Sequence, residues 1–439
     1  MWVALCGVGC RLEEAPSGGG NAAIAPTISP PVSCALTAAP TTSGTGVALG
    51  GAYAIFGEGA SSPAVIGDTN GDGCVDVGVS AGDDAYVYYG PLERKIYTLA
   101  DADAVIEFDD TELQQLVAAG DTNLDGYADL WVRNGLFLGP LAPVQSGTSP
   151  YATVPTPPGS AGFDADGDGF PDVLGYDEGW RSTLYYGPFV GPSLSPADPG
   201  FDPWTATVFE NRDTECAPLS RISEWLGDLD GDGDGEVRVG GDLNAACDGW
   251  SQVWLWSSGS ARGRTLGNAD AVAWGSSGRF YEGRFAMALP HAEAHIGDVT
   301  GDGRADVASV GVLSGPDVVG EITTSTPVAL SFVNTTFFDD AGDLDGDGDE
   351  ELLALNLAED TLYAIPGGSS GEVDPAAVGW QIAHYFAVGE RAAFPRLGSG
   401  HGDLDGDGHE ELLVTAMTVE GDAEVQVFVP ADFLPPAGP

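Results

Sequence analysis

A chain of 439 residues, 43% of them hydrophobic, is long enough to bury a substantial core. Its 67 acids against 15 basic residues give a formal charge of −52, a surface that repels anionic membrane and nucleic acid and excludes the latter as a partner. No apolar run reaches the ~18 residues a spanning helix needs, so no transmembrane helix is expected. The 65 glycines point instead to many tight turns.

The N-terminus, Met1 to Cys10, is an apolar run of signal-peptide length without a basic start, followed by Arg11-Leu12-Glu13-Glu14. Residues 1–20 read either as the tail of a lipoprotein signal, with Cys10 after Gly9 as candidate lipid anchor, or as an unstructured start. Residues 21–44, rich in Ala, Pro, Thr and Ser, read as a linker. Repeats fill residues 45–439.

One nine-residue pattern organises those repeats, and its seven copies begin 43 to 70 residues apart. They are loop 1 (68–76), loop 2 (121–129), loop 3 (164–172), loop 4 (228–236), loop 5 (298–306), loop 6 (343–351) and loop 7 (403–411). Oxygen side chains stand at positions 1, 3 and 5, and an acid at position 9. These are Asp68, Asn70, Asp72 and Asp76 in loop 1, then Asp121, Asn123, Asp125 and Asp129 in loop 2. Loop 3 has Asp164, Asp166, Asp168 and Asp172; loop 4 has Asp228, Asp230, Asp232 and Glu236. Loop 5 has Asp298, Thr300, Asp302 and Asp306, where the neutral Thr300 predicts weaker binding. Loop 6 has Asp343, Asp345, Asp347 and Glu351; loop 7 has Asp403, Asp405, Asp407 and Glu411.

Alternate side chains converge on one point when the backbone curls around it. The sharp bend at position 6 demands a positive φ, and every copy has glycine there. Position 7 varies freely (Cys74, Tyr127, Phe170, Asp234, Arg304, Asp349, His409), as a backbone-carbonyl ligand predicts. Six or more hard oxygens in a flexible ring suit Ca²⁺ better than Mg²⁺, so up to seven Ca²⁺ are expected. Asp and Gly also favour plain turns, but seven copies of one spacing argue against turns alone.

Around each loop the chain reads as short strands. Apolar runs such as 64–66, 224–226 and 294–296 enter the loops. An aliphatic residue follows at position 10 in every copy: Val77, Leu130, Val173, Val237, Val307, Leu352 and Leu412. Third runs lie at 85–89, 136–138, 184–186, 253–256, 362–365 and 425–429, several of them ending in Gly-Pro, which stops pairing. A weaker fourth strand is placed in most gaps, for example at 95–99. The fold class expected is all-β: a seven-bladed β-propeller of four-stranded antiparallel blades. Only two strands follow loop 7, so an N-terminal segment within residues 23–56 is expected to complete the last blade and cover its edge.

These loops and flanking strands resemble the calcium-binding FG-GAP or VCBS propeller repeats, also found in the integrin α-subunit head. Phe56-Gly57 and Gly59-Ala60 echo the name-giving motif, while Val79-Ser80-Ala81 stand where that family has Gly-Ala-Pro. The resemblance covers residues 45–439. It implies Ca²⁺ held by positions 1, 3 and 5, the carbonyl of position 7 and the acid at position 9. It also implies partners on the face opposite the loops. EF-hands need a twelve-residue loop between helices, and RTX repeats recur every nine residues, so neither fits as a whole-chain reading.

Cys216 and Cys247 flank loop 4 and read as a disulfide contributing ~3–4 kcal/mol or as two buried thiols. Cys34 is a candidate partner for Cys74. His291, His295, His384, His401 and His409 show no metal spacing and read as structural. Trp180 and Trp250, at matching places, wedge between blades or stack a ligand. Residues 257–290, the longest stretch between strands, gather Arg262, Arg264, Arg279 and Arg284 with Trp274, Phe280, Tyr281 and Phe285. They are expected either to bind an acidic partner or polysaccharide or to neutralise nearby acids.

The reading is an exported protein, extracellular or at the cell surface, and monomeric. It acts as an adhesion or recognition module for a protein or glycan ligand. The alternatives are a Ca²⁺-dependent polysaccharide lyase, disfavoured by the single lysine Lys95, and a surface-layer component.

Overall fold

A computed structural model describes residues 53–57, 59–109, 116–154, 158–176, 182–189, 206–209, 218–231, 235–243, 250–256, 271–276, 297–308, 312–314, 320–322, 329–332, 337–356, 361–384, 400–417 and 423–430. The described chain is all-β apart from the 3₁₀ turn Leu99–Asp101 and one short helix, Pro375–Val378. That helix starts at Asp374, whose side chain accepts from the Ala376 N–H, with Pro375 in the first turn where a missing N–H costs nothing. No helix among the described residues is long and apolar enough to cross a membrane.

The described strands fall into seven sheets, and each sheet is built on one loop. Loops 1–4, 6 and 7 join the first two strands of their sheets, which run antiparallel. Loop 5 leads into Asp306–Ala308. Position 9 is therefore the first residue of a strand, and the aliphatic at position 10 points into the core. Val77, Leu130, Val173, Val237, Leu352 and Leu412 are all fully buried. In five sheets the register shifts just before the loop, a bulge that bends the first strand into the curl.

The N-terminal strand Ala54–Phe56 pairs antiparallel with Ala423–Phe428, the last strand, in register Ala54 to Val427 and Phe56 to Val425. The two ends of the repeat region thus share one sheet, the one containing loop 7.

Two strand assignments are corrected. Residues 95–99 do not supply the fourth strand of sheet 1, which is Ala104–Glu107. Instead Ile96–Tyr97 crosses to sheet 7 and pairs in parallel with Ala54–Phe56. The same device recurs. Val144–Ser146 adds in parallel to sheet 1, Gly320–Ile322 to sheet 4 and Gly371–Val373 to sheet 5, each coming from the repeat that follows. Among the described residues, the expected four-stranded antiparallel sheet forms in sheets 2, 3 and 6 and not in the other four. Sheets 1, 4 and 7 have five strands, and four sheets carry a parallel edge. The second correction concerns residues 257–290. They contain the strand Ala271–Ser276, paired with Trp250–Trp256, and Trp274 lies on it.

The core is divided among the interfaces between consecutive sheets. Phe56, Val425 and Val427 of sheet 7 pack with Val77, Val79 and Tyr88 of sheet 1. Ile66, Val87 and Ile106 of sheet 1 meet Leu116, Leu130 and Phe137 of sheet 2. Trp131 and Leu136 meet Val173 and Tyr185, and Phe163 stacks on Trp225 at 5.3 Å between sheets 3 and 4. Val312 and Leu330 of sheet 5 meet Leu352 and Ile365 of sheet 6, and Leu353 and Leu362 meet Leu412 and Phe428 of sheet 7. Side chains on both faces of a strand are buried because both faces meet a neighbouring sheet.

Candidate metal centres

The loop curl is written in its own hydrogen bonds. The position-1 carboxylate accepts from the N–H of position 6 in six loops, for example Gly73 to Asp68 Oδ2 at 2.7 Å and Gly408 to Asp403 Oδ2 at 3.0 Å. Its other oxygen accepts from positions 4 or 5, as in Gly406 to Asp403 at 2.6 Å. The position-5 carboxylate accepts from the N–H of position 7. Glycine at position 6 has φ between +83° and +96° wherever it is described, the bend expected of it.

Position 9 is anchored separately. One oxygen of Asp76, Asp129, Asp172, Glu236, Glu351 and Glu411 accepts the N–H of position 2, at 2.7–2.9 Å. The other oxygen of Asp76, Asp129, Asp172 and Glu351 accepts from a glycine after the third strand: Gly90, Gly139, Gly187 and Gly367. These glycines, three of them followed by a cis proline, do more than stop pairing. A Cβ on Gly90 would collide with the Val75 carbonyl, and one on Gly139 or Gly187 would meet the equivalent carbonyl at 2.7 Å.

Loop 7 breaks this pattern. Continuing the register that pairs Leu412 with Phe428 puts Pro430 opposite Glu410, where the other sheets have the glycine. Proline has no N–H to give, and Glu411 Oε1 is buried with no hydrogen-bond partner among the described residues.

Carboxylate oxygens converge within 4.8 Å in four loops. The groups are Asp164, Asp166 and Asp172; Asp228, Asp230 and Glu236; Asp343, Asp345 and Asp347; and Asp403, Asp405 and Glu411. These are the four loops with Asp at position 3. In loops 1 and 2, Asn70 and Asn123 stand there and donate through Nδ2 to Asp72 and Asp125 at 3.0 Å. In loop 5 the Thr300 N–H and hydroxyl both turn onto Asp306, and Asp302 accepts from the Ser314 hydroxyl. Asp232 lies outside the described residues.

These residues fit a hard cation. Every donor is oxygen, the groups are preformed, and loop 7 holds a buried carboxylate oxygen that nothing among the described residues satisfies. Burial raises the position-9 acids: Asp76 to about 6, Asp172, Asp306 and Glu351 to about 7, and Glu411 to about 8. The neighbouring loop aspartates add to each rise. The buried sites thus demand a positive charge, from a proton or from a metal.

Position 7 is less free than its variety suggested. The position-4 glycine of one loop lies under the position-7 side chain of the next. A Cβ on Gly71 would run into Tyr127, one on Gly301 into Asp349, and one on Gly346 would come within 2.9 Å of His409.

A second cluster, centred on His401, lies between loops 6 and 7. Its Nε2 is 3.2 Å from Asp340 Oδ2 and its Nδ1 bonds Glu410. Burial opposes a charge on this ring, but Asp340 and Glu410 outweigh it and hold the pKa well above the usual imidazole range. Glu350 completes the cluster. Burial, with Asp340 and Glu410 and against His401, pushes it up to about 8. Glu350 and Glu410 occupy position 8, which is uncharged in the other five loops.

His291, His295, Trp180, Cys10, Cys34, Cys216 and Cys247 lie outside the described residues. Cys74 is disulfide-bonded, to a cysteine outside them. Trp250 opens the third strand of sheet 4. Lys95 lies over the Tyr97 ring and pairs with Glu93 and Asp101.

No protein-family model matches the chain, and no curated protein sequence matches it.

Proposed function

We propose that the protein is an exported, calcium-stabilised seven-bladed propeller of the FG-GAP/VCBS kind, serving as an adhesion or recognition module for a protein or glycan. The observation that carries the cation reading is the convergence of three loop carboxylates at the same place in sheets 3, 4, 6 and 7. Calcium is favoured over magnesium because the donors are a flexible ring of carboxylates and carbonyls rather than a strict octahedron. The propeller reading is supported by the packing of consecutive sheets and by the strand shared between the two chain ends. Affinities of ~10⁻⁴–10⁻³ M are expected by comparison with extracellular modules.

The cation test is calorimetric. Melting is followed in chelator, in millimolar Ca²⁺ and in millimolar Mg²⁺. A rise in Tm with Ca²⁺ well beyond that with Mg²⁺ is expected, and equal Tm in chelator and Ca²⁺ removes the reading. The recognition role is tested on glycan arrays and against purified surface proteins, each with Ca²⁺ and with chelator. Binding lost on chelation supports it. Absence of binding to either set leaves a structural component as the better account.

A further inference from the structure

The loops are joined to one another, and the joins are not uniform. In five places the N–H of position 8 in one loop donates to the carbonyl of position 1 in the loop before it. The bonds are Ala128 to Asp68 at 2.8 Å, Gly235 to Asp164 at 3.1 Å, Ala305 to Asp228 at 3.1 Å, Glu350 to Asp298 at 3.0 Å and Glu410 to Asp343 at 2.9 Å. Each acceptor residue carries a candidate ligand carboxylate. Each donor directly precedes the position-9 ligand of the next site. The stacking of position 7 over the preceding position-4 glycine adds a second contact. Tyr127 covers Gly71, Arg304 covers Gly231, Asp349 covers Gly301 and His409 covers Gly346. His409 Nδ1 also lies 3.2 Å from the Leu344 carbonyl in loop 6.

Both contacts are altered at two steps, between loops 2 and 3 and between loops 7 and 1. Position 8 of loop 3 is Pro171, which has no N–H to donate. Position 4 of loop 2 is Leu124, held at φ +56° and 59% exposed, where every other loop has glycine. At the step from loop 7 to loop 1 there is open space above Gly406. Among the described residues, no bond runs there from Val75 to Asp403.

We propose that position-8 amides and position-7 side chains are positioning elements for the preceding cation site, so that loops 3 to 7 fill as one cooperative run. Loops 1 and 2 form a separate pair, insulated by Pro171 and Leu124. A cation in one loop fixes its position-9 residue and the peptide before it. That peptide holds residue 1 of the preceding loop in place, so the neighbour binds with less ordering left to do. Coupling of this kind is reciprocal and amounts to ~5-fold or more in affinity per linked pair. The inference rests on the cation reading above, and the test separates the two failures.

Calcium titration by isothermal calorimetry on the full chain compares the native protein with three variants. Asp403→Asn removes a ligand at the end of the long run. The four remaining sites of that run should weaken about fivefold or more together, with a lower Hill slope. Asp121→Asn should weaken one other site, that of loop 1. His409→Ala leaves all ligand positions in place, and should lower the Hill slope with the stoichiometry unchanged. If Asp403→Asn removes one site and leaves every other affinity as it was, or if His409→Ala leaves the Hill slope as it was, the coupling is overturned. A native chain that binds no Ca²⁺ instead overturns the cation reading itself.

Discussion

Each position-9 acid is buried at the start of a strand with one oxygen on a backbone N–H group, and burial still raises its pKa to between about 6 and 8 in five of the loops. In the unfolded chain the same groups lose their protons near pH ~4. A carboxylate raised in the fold stabilises in the sense opposite to a salt-bridged one. Its contribution is fully present below the unfolded value and is lost as pH rises through the folded value. Metal-free protein should therefore melt at progressively lower temperature from pH 4 to pH 8, the loss being roughly 1.4 kcal/mol per unit of displacement before relaxation reduces it. Millimolar Ca²⁺ should flatten that slope. Melts in chelator that are more stable at pH 8 than at pH 5 would contradict this. The same logic applies to Glu350, beside Asp340 and Glu410. Glu350→Gln removes a charge the site disfavours. It should stabilise the protein by about 1–2 kcal/mol at pH 8 and by little at pH 5, as read by urea denaturation at the two values.

At the scale of the element, the loop and its strand were legible because their signals are local. Seven spacings of oxygen and glycine, followed by an aliphatic residue, specify a curl and the strand leaving it, and Val77 and Leu412 are buried as that pattern requires. What was not legible depends on partners distant in the chain. Ile96–Tyr97 is a strand of two residues, and nothing within it says that it joins Ala54–Phe56 rather than its own sheet. The contact of His409 with Gly346 spans two repeats, so position 7 reads as unconstrained within any one loop. Gly90 reads as a chain breaker before Pro91, although its N–H holds Asp76 at 2.9 Å. Gly90→Ala tests that role. The added Cβ would meet the Val75 carbonyl oxygen at 2.4 Å and the Cys74 Cβ at 3.0 Å, so a loss of about 2–3 kcal/mol is expected, with weaker Ca²⁺ binding at loop 1. Gly82→Ala, also in sheet 1, meets nothing within 4 Å. Its φ of +62° carries only the local strain of a left-handed residue, ~1 kcal/mol, so it separates backbone strain from the collision at Gly90.

For the whole molecule, the decisive feature is the junction of its two ends. Phe56 is fully buried there, 5.0 Å from the Tyr97 ring and 4.7 Å from that of Tyr88, on a strand paired with Ala423–Phe428. In the proposed ring this strand is the closure, and losing it leaves Ala423–Phe428 with an unpaired edge able to recruit another chain. Phe56→Ala should cost about 3–5 kcal/mol as a large-to-small change in a packed core. A buried phenylalanine away from the junction, Phe137 in sheet 2, should cost a similar amount when truncated. The two substitutions differ in consequence if the junction closes the molecule. Phe56→Ala should promote concentration-dependent self-association well below its melting temperature, because a local opening there frees a sheet edge. Phe137→Ala should stay monomeric until global unfolding, because its strand Gly135–Phe137 keeps a neighbour on each side. Urea denaturation gives the two stabilities, and size-exclusion chromatography over a tenfold range of concentration gives the association. Equal stability loss with equal association in both variants would mean that the chain ends are held no differently from any other pair of strands, and the closed ring would lose its main support.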